Sequence, residues 1–253
     1  MTERFSLEGR VACVTGASSG IGRFLATTFA QSGAAVVGVA RRKTELAAWA
    51  QDASRDGARA DFVEADLSDP ATVETVAIEA AKPFGPPDIL LNAAGINPRQ
   101  HADDVTIETW RHTLDLNLSV PFFLAQKLVP AMATRSWGRV INIASLQSQR
   151  AFANGLAYGA SKGGIMQLTR AMAEAWSSRG IGCNALAPGF FPTELTGPVF
   201  SDGELSAQMA GQTCIGRNGL MEDLVGPAIF LASPASDYVT GQVLCVDGGF
   251  TAK

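Results

Sequence analysis

The strongest constraint on this chain is a repeated alternation in which a short apolar run is followed by a longer stretch with helical spacing. The runs are Val11–Val14, Ala35–Ala40, Asp61–Ala65, Ile89–Leu91, Val140–Ala144, Cys183–Ala187 and Val243–Val246. Most are apolar throughout, the pattern of strands buried on both faces of a parallel sheet. Between them the periodicity predicts helices at Ile21–Gln31, Thr44–Asp56, Ala71–Ala81, Ile107–Leu114, Pro121–Ala133, Ala157–Ser178 and Met221–Ala232. Thr44 and either Ser68 or Asp69 are the expected N-caps, with Gly33, Gly57 and Gly180 as stops. A βαβα order implies right-handed crossovers, hence an α/β fold with one doubly wound parallel sheet of about seven strands and helices on both faces. No repeat or linker interrupts residues 1–253, so one domain is expected. Pro188–Gln212 is the most irregular stretch, with three Pro, four Gly and several exposed-looking aromatics. A loop of that length in a globular domain suggests a lid over a site.

Composition sets the outer limits. With 47% hydrophobic and 17% charged residues, the chain can bury a large core. A net charge of −4 offers no general attraction to nucleic acid or anionic lipid. Cys13, Cys183, Cys214 and Cys245 lack the spacing of a zinc site or disulfide framework, so reduced thiols are expected and no metal. The first residues lack the basic and apolar regions of a signal peptide, and no apolar stretch approaches the roughly 20 residues that span a bilayer. A cytoplasmic protein is the expectation.

The first strand runs into Thr15-Gly16-Ala17-Ser18-Ser19-Gly20-Ile21-Gly22, and a helix follows. Such a turn brings backbone close to a pyrophosphate, and the helix N-terminus supplies unpaired N–H groups. A tight turn without a ligand would look similar. Gly16–Gly20 and Gly159–Gly163 also match G-x-S-x-G, the hydrolase nucleophile elbow. That chemistry needs a histidine late in the chain, whereas the two histidines are His101 and His112.

Tyr158 and Lys162 are four apart in a helical pattern and therefore share a face. The helix follows a buried strand ending at Ala144-Ser145, and the carboxyl ends of such strands are where open α/β sheets bind ligands. A phenol with pKa near 10 needs help to transfer protons at neutral pH, and a neighbouring ammonium would favour the phenolate.

Together these segments resemble the short-chain dehydrogenase/reductase family. The resemblance rests on Thr15–Gly22, Asn92-Ala93-Ala94-Gly95, Asn117, Ser145, Tyr158-Gly159-Ala160-Ser161-Lys162, Pro188-Gly189 and Val246-Asp247-Gly248-Gly249, in that order along nearly the whole chain. Ala93 departs from the pattern, since the family often has a second Asn there. The resemblance implies a Rossmann-type domain in which Tyr158 is the general acid–base and Ser145 hydrogen-bonds the substrate oxygen. Lys162 would hold the nicotinamide ribose, and Asn117 would bend a helix and place a water in the proton relay. N-capping by Ser145 and an ordinary helical role for Asn117 are the plain alternatives. The same resemblance implies a cofactor site built from Gly16, Ser18, Ser19, Gly20, Ile21, Asp66, Leu67, Asn92, Ala93, Gly95, Pro188, Gly189, Phe191 and Thr193.

At the end of the second strand, small Ala40 stands where an acid would bind the 2′-hydroxyl of NAD, and Arg41 and Arg42 follow. Paired with a 2′-phosphate they would favour NADP(H), with NAD(H) as the second option. Two solvated arginines opening a helix are the alternative, and Ser19 is not the basic residue that many NADP-using relatives carry.

Substrate-facing segments are expected at Ile96–Gln100, Leu146–Gly155 and Phe190–Phe200, offering Asn97, Arg99, Gln147, Arg150 and Phe190. Such polar groups suit a hydroxylated small molecule, and an arginine could bind a carboxylate. In this the chain looks like gluconate 5-dehydrogenase and other sugar-acid or keto-sugar reductases. A 3-oxoacyl-thioester reductase and a catalytically idle nucleotide-binding protein are the competing expectations. The resemblance further implies a homotetramer built on the Pro121–Met132 and Ala157–Trp176 helices.

Overall fold

The computed structural model describes residues 2–253. Each apolar run becomes a strand: β1 (Val11–Thr15), β2 (Ala35–Ala40), β3 (Ala60–Glu64), β4 (Ile89–Asn92), β5 (Gly138–Ile143), β6 (Ile181–Pro188) and β7 (Val243–Val246). They form one parallel sheet in the order β3-β2-β1-β4-β5-β6-β7. Chain direction across the sheet reverses between β1 and β4, and a crevice opens outside their carboxyl ends.

The sheet is apolar on both sides because successive strand residues point to opposite faces. Ala12 and Val14 join one core cluster, while Cys13 between them joins the other. The first cluster takes Leu25 and Phe29 of α1 (Gly20–Gln31), Leu46 and Trp49 of α2 (Lys43–Arg55), and Leu231 of α9, the Val225–Ala232 helix. The second takes Val76 of α3 (Val73–Ala80), Leu124 and Leu128 of α5 (Val120–Thr134), and Met172 and Trp176 of α6 (Leu156–Trp176).

At the crevice floor a side chain replaces the strand ladder. The Thr15 hydroxyl accepts from the amides of Ala93 and Ala94, at 3.0 and 3.1 Å. Beneath it, Asn92 is buried and donates to Asn142 Oδ1 at 2.9 Å, and Asn142 donates to Thr169.

Local details depart from the sequence expectations. Leu46 N–H bonds Arg42 O, so Arg42 and not Thr44 takes the N-cap place of α2, without a side-chain cap. Asp69 caps the 3₁₀ turn Pro70–Thr72 that leads into the next helix, accepting from Ala71 N–H. Gly180 adopts the left-handed conformation that stops the turn after α6. Residues 189–211 are not an open loop: they hold a single 3₁₀ turn (Glu194–Thr196), α7 (Gly197–Phe200) and α8 (Gly203–Gly211). Of their aromatics, Phe191 is buried and Phe190 half-buried.

α4 (Ile107–Leu114) runs into α5 through a π-helical turn at Asp115–Ser119, which joins two patterns that look separate in the sequence. The joined stretch Ile107–Thr134 is long and apolar enough to cross a membrane by length and composition, but half of its most apolar 18-residue window is buried in this molecule.

Candidate active site

The crevice at the sheet's carboxyl edge is a cavity of about 700 Å³. Its cofactor-side wall is the β1–α1 turn. There a Cβ on Gly22 would lie 2.4 Å from Gly16 O, so the turn closes on itself only with glycine. The amides of Ser19, Gly20 and Ile21 find no acceptor among the described residues and stand at the positive end of α1. Gly16, Ser18, Arg41, Arg42, Asp66, Leu67, Ala93, Gly95, Pro188, Gly189, Phe191 and Thr193 all line the same cavity. Asn92 does not: its side chain is spent inside the sheet, beneath the floor.

Arg42 and Arg41 are both partnered. Arg42 donates from Nε to Ser18 Oγ at 3.2 Å and from Nη1 to Glu194 at 3.1 Å. Arg41 lies 3.9 Å from the Asp66 carboxylate. Ala40 is small and neutral, so no carboxylate ends β2.

Farther along, Ser145, Tyr158 and Lys162 meet on one wall. Ser145 ends the β5 segment and caps a 3₁₀ turn, where its Oγ accepts from Gln147 N–H at 3.1 Å. That bond uses a lone pair and leaves the hydroxyl hydrogen free. N-capping and substrate binding are therefore compatible, not rival, roles for this residue. One turn of α6 brings Lys162 to Tyr158: Lys162 Nζ sits 5.7 Å from the phenol ring centre and donates to Ile143 O at 2.6 Å.

Burial dominates the electrostatics here. It pushes the Tyr158 phenol above its ordinary value, against the pull of the Ser145 hydroxyl and the Arg99 guanidinium. It pulls the Lys162 ammonium down to about 8. The sequence argument expects the ammonium to lower the phenol, but within the protein's own framework desolvation outweighs every favourable charge.

Asn117 stands in the π turn and does not itself line the cavity. Its Oδ1 accepts from Ile96 N–H and its Nδ2 donates to Ile96 O, both at 2.9 Å, with a further bond to Ser161 at 3.1 Å. It thereby fixes the strand-end segment Gly95–Ile96, which does line the cavity.

Of the expected substrate residues, Asn97, Arg99, Gln147 and Phe190 line the cavity. Arg99 donates to Leu195 O at 3.1 Å. Arg150 does not line the cavity: its guanidinium donates to Lys253 O and lies over the Phe250 ring. Phe190 packs edge-on to Phe152 and close to Phe250, an aromatic wall at the substrate end. Glu194 also lines the cavity, without a signal in the sequence around it. Its partners Ser19 and Arg42 are 175 and 152 positions away, so no local pattern signals it.

Comparison with known proteins agrees with this geometry. Residues 16–251 match the family model described as enoyl-(acyl carrier protein) reductase. Gluconate 5-dehydrogenase of Gluconobacter oxydans is 39% identical, across 98% of this chain and 97% of its own. The 2-dehydro-3-deoxy-D-gluconate 5-dehydrogenase of Escherichia coli K12 is 38% identical, covering 98% of both. A crystal structure of a Burkholderia cenocepacia gluconate 5-dehydrogenase, in complex with NADP and tartrate, superposes with a TM-score of 0.95 at 39% identity, over 100% of this chain and 99% of that one. With the motifs in place around one crevice, this chain belongs to the short-chain dehydrogenase/reductase family of NAD(P)-dependent oxidoreductases.

Proposed function

We propose that the chain interconverts a ketone and a secondary alcohol on a sugar acid, with NADP(H) preferred over NAD(H). The observation that carries this is the shared wall of Ser145, Tyr158 and Lys162 beside Arg99, a guanidinium close enough to bear on the phenol. The relatives named for gluconate and deoxygluconate chemistry support the substrate class, and the one crystallised with NADP and tartrate supports the cofactor.

The cofactor fits the residues present. Unpaired amides at Ser19–Ile21 suit a pyrophosphate, while Arg42 beside neutral Ala40 suits a 2′-phosphate. The chemistry a cofactor held by these residues would supply is hydride exchange at the substrate carbon. The Ser145 hydrogen, left free by its bond from Gln147, steadies the substrate oxygen. Tyr158 Oη gives that oxygen its proton in reduction and takes it back in oxidation. The buried Lys162 ammonium lies beside the phenol, where its positive charge would favour the phenolate, while the Ser145 hydroxyl and the Arg99 guanidinium pull against the desolvation that raises it. Asn117 is a positioning residue that holds Ile96 against the cavity. Arg99 receives the substrate carboxylate, and residues 188–212 cover the site as a lid.

The test is reduction at 340 nm of 5-ketogluconate, other keto-sugar acids, neutral ketones and acetoacetyl thioester, each with NADPH and NADH. Keto-sugar acids with NADPH are expected to give the highest kcat/KM, and Arg42→Ala to erode the NADPH preference. Preference for the thioester, or for NADH, would overturn the respective part of the reading.

We further propose a cytoplasmic homotetramer. Its support is the apolar groove between α5 and α6, lined by Phe122, Val129, Leu168 and Trp176, together with exposed Phe123. A monomeric mass by light scattering would refute the tetramer.

A further inference from the structure

Glu194 stands at the mouth of the crevice, immediately after Thr193, and has no part in the proton transfer described above. Its carboxylate spans from the lid segment to the cofactor wall. One oxygen accepts from Ser19 Oγ at 3.1 Å and the other from Arg42 Nη1 at 3.1 Å. Arg42 in turn holds Ser18 Oγ. These two hydroxyls and one guanidinium are the donors that an anion arriving between β2 and α1 would use. The pairing with Arg42 holds the Glu194 carboxyl below its ordinary range, so it is an anion at neutral pH.

The contact is placed to be displaced. The side chains of Glu194 and Arg42 are 67% and 41% exposed, and ion pairs so open to water are weak. A phosphate brings more charge and more acceptor oxygens to the same donors than a carboxylate does. A ribose hydroxyl, being neutral, does not.

We infer that Glu194 is a built-in competitor for the cofactor's 2′-phosphate: it clamps the lid segment onto Ser19 and Arg42, and a 2′-phosphate must expel it. The inference rests on the NADP(H) reading above. It makes Glu194 a specificity-determining residue that lowers affinity for phosphorylated dinucleotide while leaving the unphosphorylated one untouched. The lid would then be released at this corner by one cofactor and not by the other. The same segment is tied on its far side by the bond from Arg99 to Leu195 O, so expulsion of Glu194 leaves one tether in place.

The experiment is calorimetric binding of 2′,5′-ADP and of 5′-AMP to the wild-type protein, to Glu194→Gln and to Glu194→Ala, without substrate or nicotinamide. Both variants are expected to bind 2′,5′-ADP about fivefold more tightly, the scale of a surface ion pair, and 5′-AMP unchanged within about twofold. In an Arg42→Ala background the further change Glu194→Gln is expected to give a smaller gain, since the competitor keeps only its contact with Ser19. Equal gains for both nucleotides, no gain, weaker 2′,5′-ADP binding, or a gain undiminished without Arg42 would each overturn the proposal. Wild-type protein that binds 5′-AMP as tightly as 2′,5′-ADP would overturn the NADP(H) reading itself. A wild-type preference for 2′,5′-ADP that Glu194→Gln leaves unaltered would remove the competitor alone.

Discussion

The floor and the rim of the crevice are built on different principles. On the floor and just behind it, Ser145, Tyr158, Lys162 and Asn117 are all buried, and the backbone of β5, the capped turn after it or the Gly95–Ile96 segment fixes the polar atoms of Ser145, Lys162 and Asn117. At the rim, Arg41 pairs with Asp66, Arg42 with Glu194 and Ser18, and Arg99 with lid backbone, largely in water. Burial multiplies electrostatic effects, whereas solvent mutes them. The type of reaction therefore belongs to the floor, and the choice of ligand to the rim, where contacts are cheap to exchange.

This contrast can be broken most severely at Tyr158. Tyr158→Phe is expected to lower kcat by about 10²–10⁴-fold, the usual worth of a positioned acid–base group. NADPH affinity, measured by fluorescence titration, should stay within about twofold because the phenol is not needed to seat the phosphates. A variant that kept most of its turnover would remove the floor from the chemistry.

Lys162 sharpens the comparison through stability. Its folded pKa is about 8 against an ordinary 10.5, so between those values the unfolded chain binds a proton that the folded chain has released. Its contribution is fully present above about pH 10.5 and is lost as pH falls through 8. The stability of wild type relative to Lys162→Met should accordingly rise by roughly 2–3 kcal/mol from pH 8 to 10.5. Urea denaturation of both proteins across that range measures it, and parallel curves would mean the ammonium is not desolvated.

The smallest effect belongs to the rim. Arg99→Ala should raise KM for a keto-sugar acid about tenfold, as for loss of one charge-assisted contact, with kcat nearly unchanged. KM for a neutral ketone should not move. A kcat loss as large as that of Tyr158→Phe would erase the distinction between floor and rim.

The floor was largely legible in the sequence. Strand ends mark where side chains must gather, and a four-residue helical spacing puts Tyr158 and Lys162 together whatever surrounds them. The rim was not, because its geometry comes from contacts between distant segments. Nothing near Glu194 announces Ser19 or Arg42, and nothing near Arg150 announces that the chain terminus will draw it away. Asn92 misleads for a related reason. It lies in the recognised motif, yet as the last residue of a central strand it turns inward to Asn142. The helices at 197–211 were hidden by their prolines and glycines, which sit at or beside helix ends where such residues are tolerated.

The Thr15 hydroxyl, which accepts from both Ala93 and Ala94, also bears on time. Two consecutive amides at the crevice floor owe their protection to a single oxygen, so their hydrogens can exchange with solvent only when that oxygen lets go. Their exchange rates should rise and fall together, as one clock for the parting of β1 from β4, and should slow when a nucleotide bridges the two strands.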